Sequence, residues 1–275
     1  MGILRFVTKG IPLVLAAGLV ACGGSDEPPA GGGDYKVPDR VECLGDGSND
    51  YLGDGPFSFT MEVVNGYQFY LPDTPAGCRN PAVGFAMGTG ASIGSYTAYY
   101  ESYASWGLAV VADPDPQAGS GASMKEAIEA LYDRHGDRLG KAGVTGHSQG
   151  GMAAVNASEH SRFEAVVGLQ SGQFATRGNY SLPFLAIAAE NDSFGGFTDS
   201  VTNHYPKFTG PKFYGKLVGA GHSPRGSQGD AARAASQAWF RCHLGGDTDA
   251  CSLFSSATCS DLAGDWMNCQ GTRLP

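Results

Sequence analysis

Short apolar runs recur along the chain from residue 57 onward, each bounded by Gly, Pro, Asn or Asp. Their lengths are typical of strands rather than helices. The first two runs, residues 57–64 and 67–71, flank Asn65-Gly66, a dipeptide typical of a two-residue hairpin because both residues tolerate positive φ. Further strands are predicted at residues 82–87, 108–112, 142–145, 164–169, 184–189 and 212–218.

Three segments between or after these strands have a helical pattern. The first covers residues 95–106. The second begins at Ser123, which is predicted to form a capping box with Glu126, and its apolar face consists of Met124, Ala127, Ile128, Leu131 and Tyr132. The third covers residues 231–243, with five positions predicted to point inward: Ala231, Ala235, Ala238, Trp239 and Cys242.

The alternation of strands and helices after the hairpin predicts right-handed crossover connections. The predicted fold class is therefore α/β, with a mainly parallel twisted sheet, helices on both faces and an antiparallel N-terminal hairpin. Ligands in such sheets bind beyond the carboxyl ends of the strands, so candidate chemistry is expected there.

The first 21 residues are predicted to be a signal peptide. Arg5 and Lys9 precede an apolar run at residues 11–20, which is too short to span a bilayer. Residues 19–23 resemble a bacterial lipobox, which implies cleavage before Cys22 and lipid attachment to it; the alternative is a plain secretory signal. We expect an exported protein, lipid-anchored at the outer membrane or cell surface, with a flexible tether at residues 22–39 and a single domain at 40–275.

Charge and cysteine content restrict the partners and the compartment. The chain carries 18 basic and 27 acidic residues, and removing Arg5 and Lys9 with the signal leaves a formal charge of −11. This acidity argues against nucleic acid as a partner.

Apart from Cys22, the chain has six cysteines: Cys43, Cys78, Cys242, Cys251, Cys259 and Cys269. An even number in an exported chain predicts three disulfides. Six cysteines allow 15 pairings, of which we favour Cys43 with Cys78 and the other four among themselves.

Gly146-His147-Ser148-Gln149-Gly150 has the G-x-S-x-G form of a nucleophile elbow, between a predicted strand and small residues that begin a helix. With 42 glycines in 275 residues, the pattern is expected about half a time by chance. It does occur a second time, around Ser92, but in a predicted loop without the following helix. The context therefore favours Ser148 as the nucleophile.

A serine nucleophile needs an imidazole to accept its proton and a carboxylate to orient that imidazole. Of the six histidines, His222 follows the strand at 212–218 in a glycine-rich loop, whereas His147 is expected to be a pocket or packing residue. The other four, His135, His160, His204 and His243, are expected to be surface or packing groups. Asp192 follows the strand at 184–189 and is the favoured carboxylate, with Glu190 as the alternative.

Donors for a developing oxyanion are predicted at two backbone positions. One is the N–H of Gln149, directly after the nucleophile. The other lies in the loop after residues 82–87, with Thr89 favoured and Gly90 second. No spacing of Cys and His suggests a metal site, and the inferred chemistry needs no cofactor.

These segments resemble the bacterial polyesterase–lipase–cutinase group, which includes hydrolases of poly(ethylene terephthalate), over about residues 82–239. The resemblance implies an α/β-hydrolase fold, a triad of Ser148, Asp192 and His222, and an oxyanion hole at Thr89 and Gln149. The cysteines near the C-terminus resemble cysteines that form a disulfide in that group. The chain differs from that group at three positions. Thr89 stands where the group has an aromatic residue, and Gln149 stands where it usually has a methionine. Gln173, which precedes Phe174, stands where it has a tryptophan.

The expected function is therefore hydrolysis of short-chain, cutin-like or polyester substrates by a monomeric serine esterase whose only link to the membrane is its lipid anchor. Gln173, Phe194 and His147 are the candidate substrate-binding residues. The alternatives are a lipase or serine peptidase on the same fold, or a surface lipoprotein that binds a partner or glycan without catalysis.

Overall fold

The computed structural model describes residues 40–47, 50–194, 204–223 and 225–275. They belong to a unit of the chain that spans Val37–Pro275. The predicted signal peptide, Cys22 and the tether lie outside the described residues.

Within the described residues nine strands form one sheet: β1 (Phe59–Val64), β2 (Tyr67–Pro72), β3 (Asn80–Ala86), β4 (Ala109–Ala112), β5 (Leu139–His147), β6 (Phe163–Leu169), β7 (Phe184–Ala189), β8 (Lys212–Leu217) and β9 (Trp266–Thr272). The α-helices are α1 (Arg40–Leu44), α2 (Thr97–Ser105), α3 (Ala122–His135), α4 (Gln149–Ala157), α5 (Gly226–Gly245) and α6 (Thr248–Ser252).

The strand order is β1-β2-β4-β3-β5-β6-β7-β8-β9. Strands β3 to β8 are parallel to one another, whereas β1, β2 and β9 pair antiparallel with their neighbours. Asn65 (φ 53°) and Gly66 (φ 89°) form the β1–β2 turn with the positive φ values that such a turn requires. The predicted α/β class, parallel sheet and N-terminal hairpin are confirmed.

The core lies on both faces of the sheet because side chains alternate along each strand. Val83 and Phe85 of β3 face the side covered by α2 and α5, while Ala82 and Ala86 face α3 and α4. The central parts of the parallel strands are therefore apolar on both faces, and β4 and β7 are continuous hydrophobic runs in the sequence.

Three elements were not predicted: α1, α6 and β9. Strand β9 mixes polar and apolar residues, including Asn268 and Gln270, and is only partly buried. It pairs with the edge of β8 and is held by the Cys259–Cys269 disulfide. Its pairing thus depends on an edge that β8 provides rather than on its own pattern.

The predicted capping box at Ser123 is wrong. Helix α3 begins at Ala122, after Gly121 in a left-handed conformation, and the first N–H of the helix donates to the hydroxyl of Ser120 (3.2 Å). Ser123 already lies inside the helix, and its hydroxyl donates to the carboxylate of Asp113 (Oγ–Oδ2 2.6 Å). The Ser123 hydroxyl thus donates to a carboxylate on the preceding loop, whereas a capping box would have it accept from a backbone N–H of the helix.

Three disulfides join Cys43 to Cys78, Cys242 to Cys251 and Cys259 to Cys269. The number and the favoured Cys43–Cys78 pair agree with the prediction, and so does pairing of the other four among themselves. Among the described residues, no helix combines the length and the apolarity needed to cross a bilayer.

Arg241 is fully buried and connects α5 to the N-terminal segment. Its guanidinium pairs with buried Asp247 (Nη2–Oδ2 2.5 Å) and donates to three carbonyl groups, those of Leu44, Gly45 and Trp106. Removal of this buried charge would leave Asp247 without its cation and three carbonyls without their donor.

We expect Arg241→Leu to lower the free energy of unfolding by about 3–5 kcal/mol, since it leaves a buried carboxylate uncompensated. Lys141→Met, which breaks an exposed pair with Glu164, serves as the control and should change it by less than about 1 kcal/mol. Urea denaturation measures both, and equal effects of the two substitutions would contradict this account of Arg241.

Candidate active site

Ser148 lies at a sharp strand-to-helix turn, between the end of β5 at His147 and the start of α4 at Gln149. Its backbone has φ 58° and ψ −119°, a conformation that is strained for a residue with a Cβ. The surrounding backbone holds it: its N–H donates to the carbonyl of Leu169 (2.9 Å), and its carbonyl accepts from Gly172 N–H (2.8 Å). The strain is thus sustained by hydrogen bonds to β6 and the loop after it.

The glycines around Ser148 are required by close backbone contacts. A Cβ on Gly146 would lie 2.3 Å from the carbonyl oxygen of Gly150, and a Cβ on Gly150 would lie 2.1 Å from that of Ala86. A Cβ on Gly151 would meet Ser171 at 2.7 Å. The G-x-S-x-G pattern therefore reflects packing of α4 directly against β3 and β5.

Ser148, His222 and Asp192 form one hydrogen-bonded series. His222 Nε2 lies 2.9 Å from Ser148 Oγ, and His222 Nδ1 lies 2.9 Å from Asp192 Oδ2. A carboxylate only accepts hydrogen bonds, so Nδ1 carries the proton and Nε2 accepts from the serine hydroxyl. This is the tautomer that a general base for Ser148 needs.

The three side chains meet because each follows a parallel strand. Ser148 follows β5, Asp192 follows β7 and His222 follows β8, so all three lie at the carboxyl edge of the sheet. Ser148 and Asp192 are both buried; the side chain of His222 is 18% exposed and that of Asp192 1%. The carboxylate is therefore shielded from water, whereas the imidazole is partly exposed.

Asp192 rather than Glu190 contacts the imidazole. The second carboxylate oxygen of Asp192 accepts from the backbone N–H of Phe194 (3.0 Å). Glu190 instead accepts from the N–H of Gly219 (2.8 Å), which ties the loop after β7 to the loop that carries His222. The alternative carboxylate thus has a structural partner of its own.

Phe194 stacks on the imidazole of His222, with ring centroids 4.8 Å apart and an interplanar angle of 19°. Its side chain is nevertheless 61% exposed. It therefore covers one face of the candidate base while most of its own surface remains exposed.

His147 is buried and hydrogen-bonded through both ring nitrogens. Its Nε2 lies 2.6 Å from the backbone carbonyl of His222, and its Nδ1 lies 2.8 Å from the hydroxyl of Tyr96. That hydroxyl also accepts from the N–H of Gly88 (3.1 Å). Desolvation lowers the pKa of His147 to about 4, against an opposing contribution from the hydrogen bond to His222.

The two predicted oxyanion donors lie at the same edge of the sheet. Thr89 is exposed and follows β3 after Met87 and Gly88. The N–H of Gln149 belongs to the first turn of α4, where no intrahelical partner exists and the helix dipole favours negative charge. The side chain of Gln149 instead packs against Gly119, so only its backbone is available at the site.

The loop after β6 carries Gln173 and Phe174. Gln173 is half-buried, one residue after the Gly172 N–H that donates to Ser148. Phe174 is 67% exposed. An exposed aromatic side chain thus lies directly after Gln173.

The remaining candidates have other environments. Ser92 precedes a 3₁₀ turn, has an ordinary φ of −92° and bonds the hydroxyl of Ser95 (3.1 Å). His135 contacts Glu62, His204 bonds the carbonyl of Gly172, and His243 packs on Trp239.

Sequence reasoning missed Tyr96 as a member of this site. It contacts His147 across 51 positions and has no motif of its own. A cavity of about 240 Å³ lies beside this pair; it is lined by Ala91, Ser95, Tyr96, Tyr99, His147, Gln170, Ser223 and Arg225.

Fold and site together define an α/β protein with a hydroxyl–imidazole–carboxylate series at the carboxyl edge of a parallel sheet, an arrangement able to deprotonate a serine. In the part of the chain that the structure describes, no group of three or more His, Cys, Asp or Glu side chains is arranged to hold a metal. No family model matches this chain, and no curated protein is significantly similar to it in sequence. Inference about function therefore depends on the geometry of the site.

Burial lowers the pKa of His147 and His243 from 6.5 to about 4, and also lowers that of His204. Between pH 6.5 and 4 the unfolded chain binds more protons, so we expect stability to fall as pH falls, on the order of 3 kcal/mol for each strongly shifted histidine. Urea midpoints from pH 7 to 4 measure this loss. His243→Phe should make the dependence shallower; an unchanged slope would contradict the assignment.

Gln149 Oε1 is buried and has no hydrogen-bond partner among the described residues. We expect Gln149→Met to raise the free energy of unfolding by about 1 kcal/mol, because it removes an unsatisfied acceptor at similar volume. Gln237→Met is the matched control. It should destabilise by about 1–3 kcal/mol, since Gln237 accepts from Ser102 and donates to the carbonyl of Tyr51. Destabilisation by both substitutions would contradict the prediction.

Proposed function

We propose that this protein is a serine hydrolase of the α/β-hydrolase type that cleaves carboxylic esters through an acyl-enzyme. The observation that carries the proposal is the series from Ser148 through His222 to Asp192, with both hydrogen bonds at 2.9 Å. The strained elbow supports it, because backbone strain at the serine of a strand-to-helix turn is typical of a nucleophile held for reaction.

In the acylation step Ser148 Oγ attacks the ester carbonyl carbon while its proton passes to His222 Nε2. Asp192 accepts from Nδ1–H and stabilises the imidazolium that forms. Collapse of the tetrahedral intermediate breaks the bond to the alcohol, which takes the proton from Nε2 as it leaves. The acyl group remains on Ser148.

In the deacylation step His222 removes a proton from water, which attacks the acyl carbon and releases the acid. The proton then returns to Ser148. In both steps the carbonyl oxygen carries developing negative charge, which the N–H groups of Thr89 and Gln149 would stabilise. The dipole of α4 adds to this stabilisation, since its N-terminus points toward the site.

The substrate class that we favour is an ester with an apolar acyl group, of short chain or within a polyester. Phe194 covers His222, and Phe174 is exposed on the loop after β6. Residues 170–183, which link β6 to β7, contain no helix that would cover the site. The resemblance to the polyesterase–lipase–cutinase group supports the same class, while Gln173 in place of a tryptophan favours ester hydrolysis in general over aromatic polyesters.

We further propose that the protein is exported and lipid-anchored through Cys22, at the outer membrane or cell surface. The three disulfides support an oxidising compartment, since such bonds are rare in cytosolic proteins. No cofactor is required by the proposed chemistry, and monomeric action suffices because all three triad residues come from one chain.

We expect Ser148→Ala to lower the kcat for a short-chain p-nitrophenyl ester by at least about 10⁴-fold, because it removes the hydroxyl that is hydrogen-bonded to His222 Nε2. Asp192→Asn should lower it by about 10³- to 10⁴-fold through loss of the correct imidazole tautomer. Ser92→Ala, in the second G-x-S-x-G match, is the control and should retain the wild-type rate.

Labelling with a fluorophosphonate should modify wild-type protein and not Ser148→Ala. An unlabelled wild-type serine would reject the catalytic proposal and favour a binding protein. A panel of p-nitrophenyl acyl esters, triacylglycerols, peptides and polyester film then separates an esterase from a lipase or a peptidase.

A further inference from the structure

A chain of hydrogen bonds crosses the candidate site behind Ser148. It runs from the N–H of Gly88 to the hydroxyl of Tyr96 (3.1 Å), from that hydroxyl to His147 Nδ1 (2.8 Å), and from His147 Nε2 to the carbonyl of His222 (2.6 Å). Its two ends are the loop before Thr89 and the loop that carries the imidazole. The proposed mechanism makes no use of His147 or Tyr96.

The direction of each hydrogen bond follows from the groups present. The carbonyl of His222 only accepts, so His147 Nε2 carries a proton. In the neutral ring Nδ1 is then an acceptor, and the Tyr96 hydroxyl must donate to it. The Tyr96 oxygen is left to accept from Gly88 N–H. Each of the four groups thus has its partner, and the chain is satisfied only while His147 is neutral.

Both loops that the chain connects are rich in glycine and need restraint. Gly88 and Gly90 flank Thr89, and Gly219 and Gly221 precede His222. Further hydrogen bonds tie the base loop, from Asn191 N–H to the carbonyl of Ala220 (2.8 Å) and from Gly219 N–H to Glu190. Neither of them contacts His222 itself, whereas His147 binds the backbone of that residue.

We propose that His147 is a positioning residue, which together with Tyr96 holds the backbone of His222 and the oxyanion loop at a constant separation. This inference rests on the proposed hydrolase function and concerns the same site. The positioning role differs from a substrate-binding role for His147, because both ring nitrogens are hydrogen-bonded to protein groups. The rings of His147 and His222 are 5.0 Å apart, so a displacement of either is transmitted directly to the other.

The first test is steady-state hydrolysis of p-nitrophenyl butyrate by the mature protein and its variants. His147→Phe fills the same space without either hydrogen bond and should lower kcat by about 10- to 100-fold, with KM within about twofold, since small misplacement of a base has effects of this size. Tyr96→Phe removes the central hydroxyl and should lower kcat by about 10-fold. The double variant should fall no more than about twofold below His147→Phe, because the members act as one unit.

Tyr100→Phe is the matched control. Tyr100 lies four residues after Tyr96, is fully buried, and its hydroxyl has no hydrogen-bond partner among the described residues. Its kcat should equal that of the wild type. His147→Gln is the conservative variant: its terminal amide can donate toward the His222 carbonyl and should recover part of the kcat lost in His147→Phe.

The second test does not depend on turnover. Nitrogen-15 NMR of the histidine rings should show His147 as the neutral Nε2–H tautomer, together with a low-field proton on His222 Nδ1 bound to Asp192. That proton signal should persist in Tyr100→Phe and weaken in His147→Phe and Tyr96→Phe as His222 loses its restraint.

The outcomes separate the two proposals. A wild-type protein without esterase activity rejects the proposed function, and the NMR signals still decide whether His147 positions His222. An active wild type whose His147→Phe variant keeps kcat and raises KM would overturn the positioning role and assign His147 to substrate binding. An Nδ1–H tautomer at His147, or a His222 proton signal unchanged in both variants, would overturn it as well.

Discussion

Ser148 is held in place because three backbone segments meet with no side chain between them. The carbonyls of Ala86 and Gly150 lie where side chains at Gly150 and Gly146 would begin. This contact sets α4 directly on β3 and β5, and the chain can leave β5 and enter α4 only through a strained residue, Ser148 at φ 58°. The hydroxyl therefore points out of the sheet edge with little freedom, which is the condition for the rest of the site.

The partners of Ser148 reach it by a different principle. Thr89, Asp192 and His222 follow different parallel strands, and parallel pairing brings the ends of those strands to one edge. Loops rich in glycine allow the approach but do not by themselves hold a geometry. Hydrogen bonds between loops supply that restraint: Glu190 with Gly219, and the series from Gly88 through His147 to His222. Rigid strands and tied loops together account for the arrangement.

Several features followed from local pattern, and their success has a physical reason. Strands β4 and β7 are buried along their whole length, so each is a continuous apolar run. The Asn65-Gly66 turn needs positive φ at both residues, which few other dipeptides supply. Strand β9 escaped prediction because half of it is exposed and its pairing depends on β8 and the Cys259–Cys269 bond. Ser123 was misassigned because its acceptor, Asp113, belongs to another segment.

By itself the sequence determined the α/β class, the elbow around Ser148 and the order in which a hydroxyl, a carboxylate and an imidazole follow their strands. The strands and the elbow depend on sterics and periodicity within a few neighbouring residues. The order of the three candidate residues then follows directly from their positions along the chain. Only the tertiary structure decided that Asp192 rather than Glu190 faces His222 and that Tyr96 and His147 belong to one hydrogen-bond series. Such contacts join residues that are 30 to 75 positions apart, and they exist only once the order of strands in the sheet has brought their loops together.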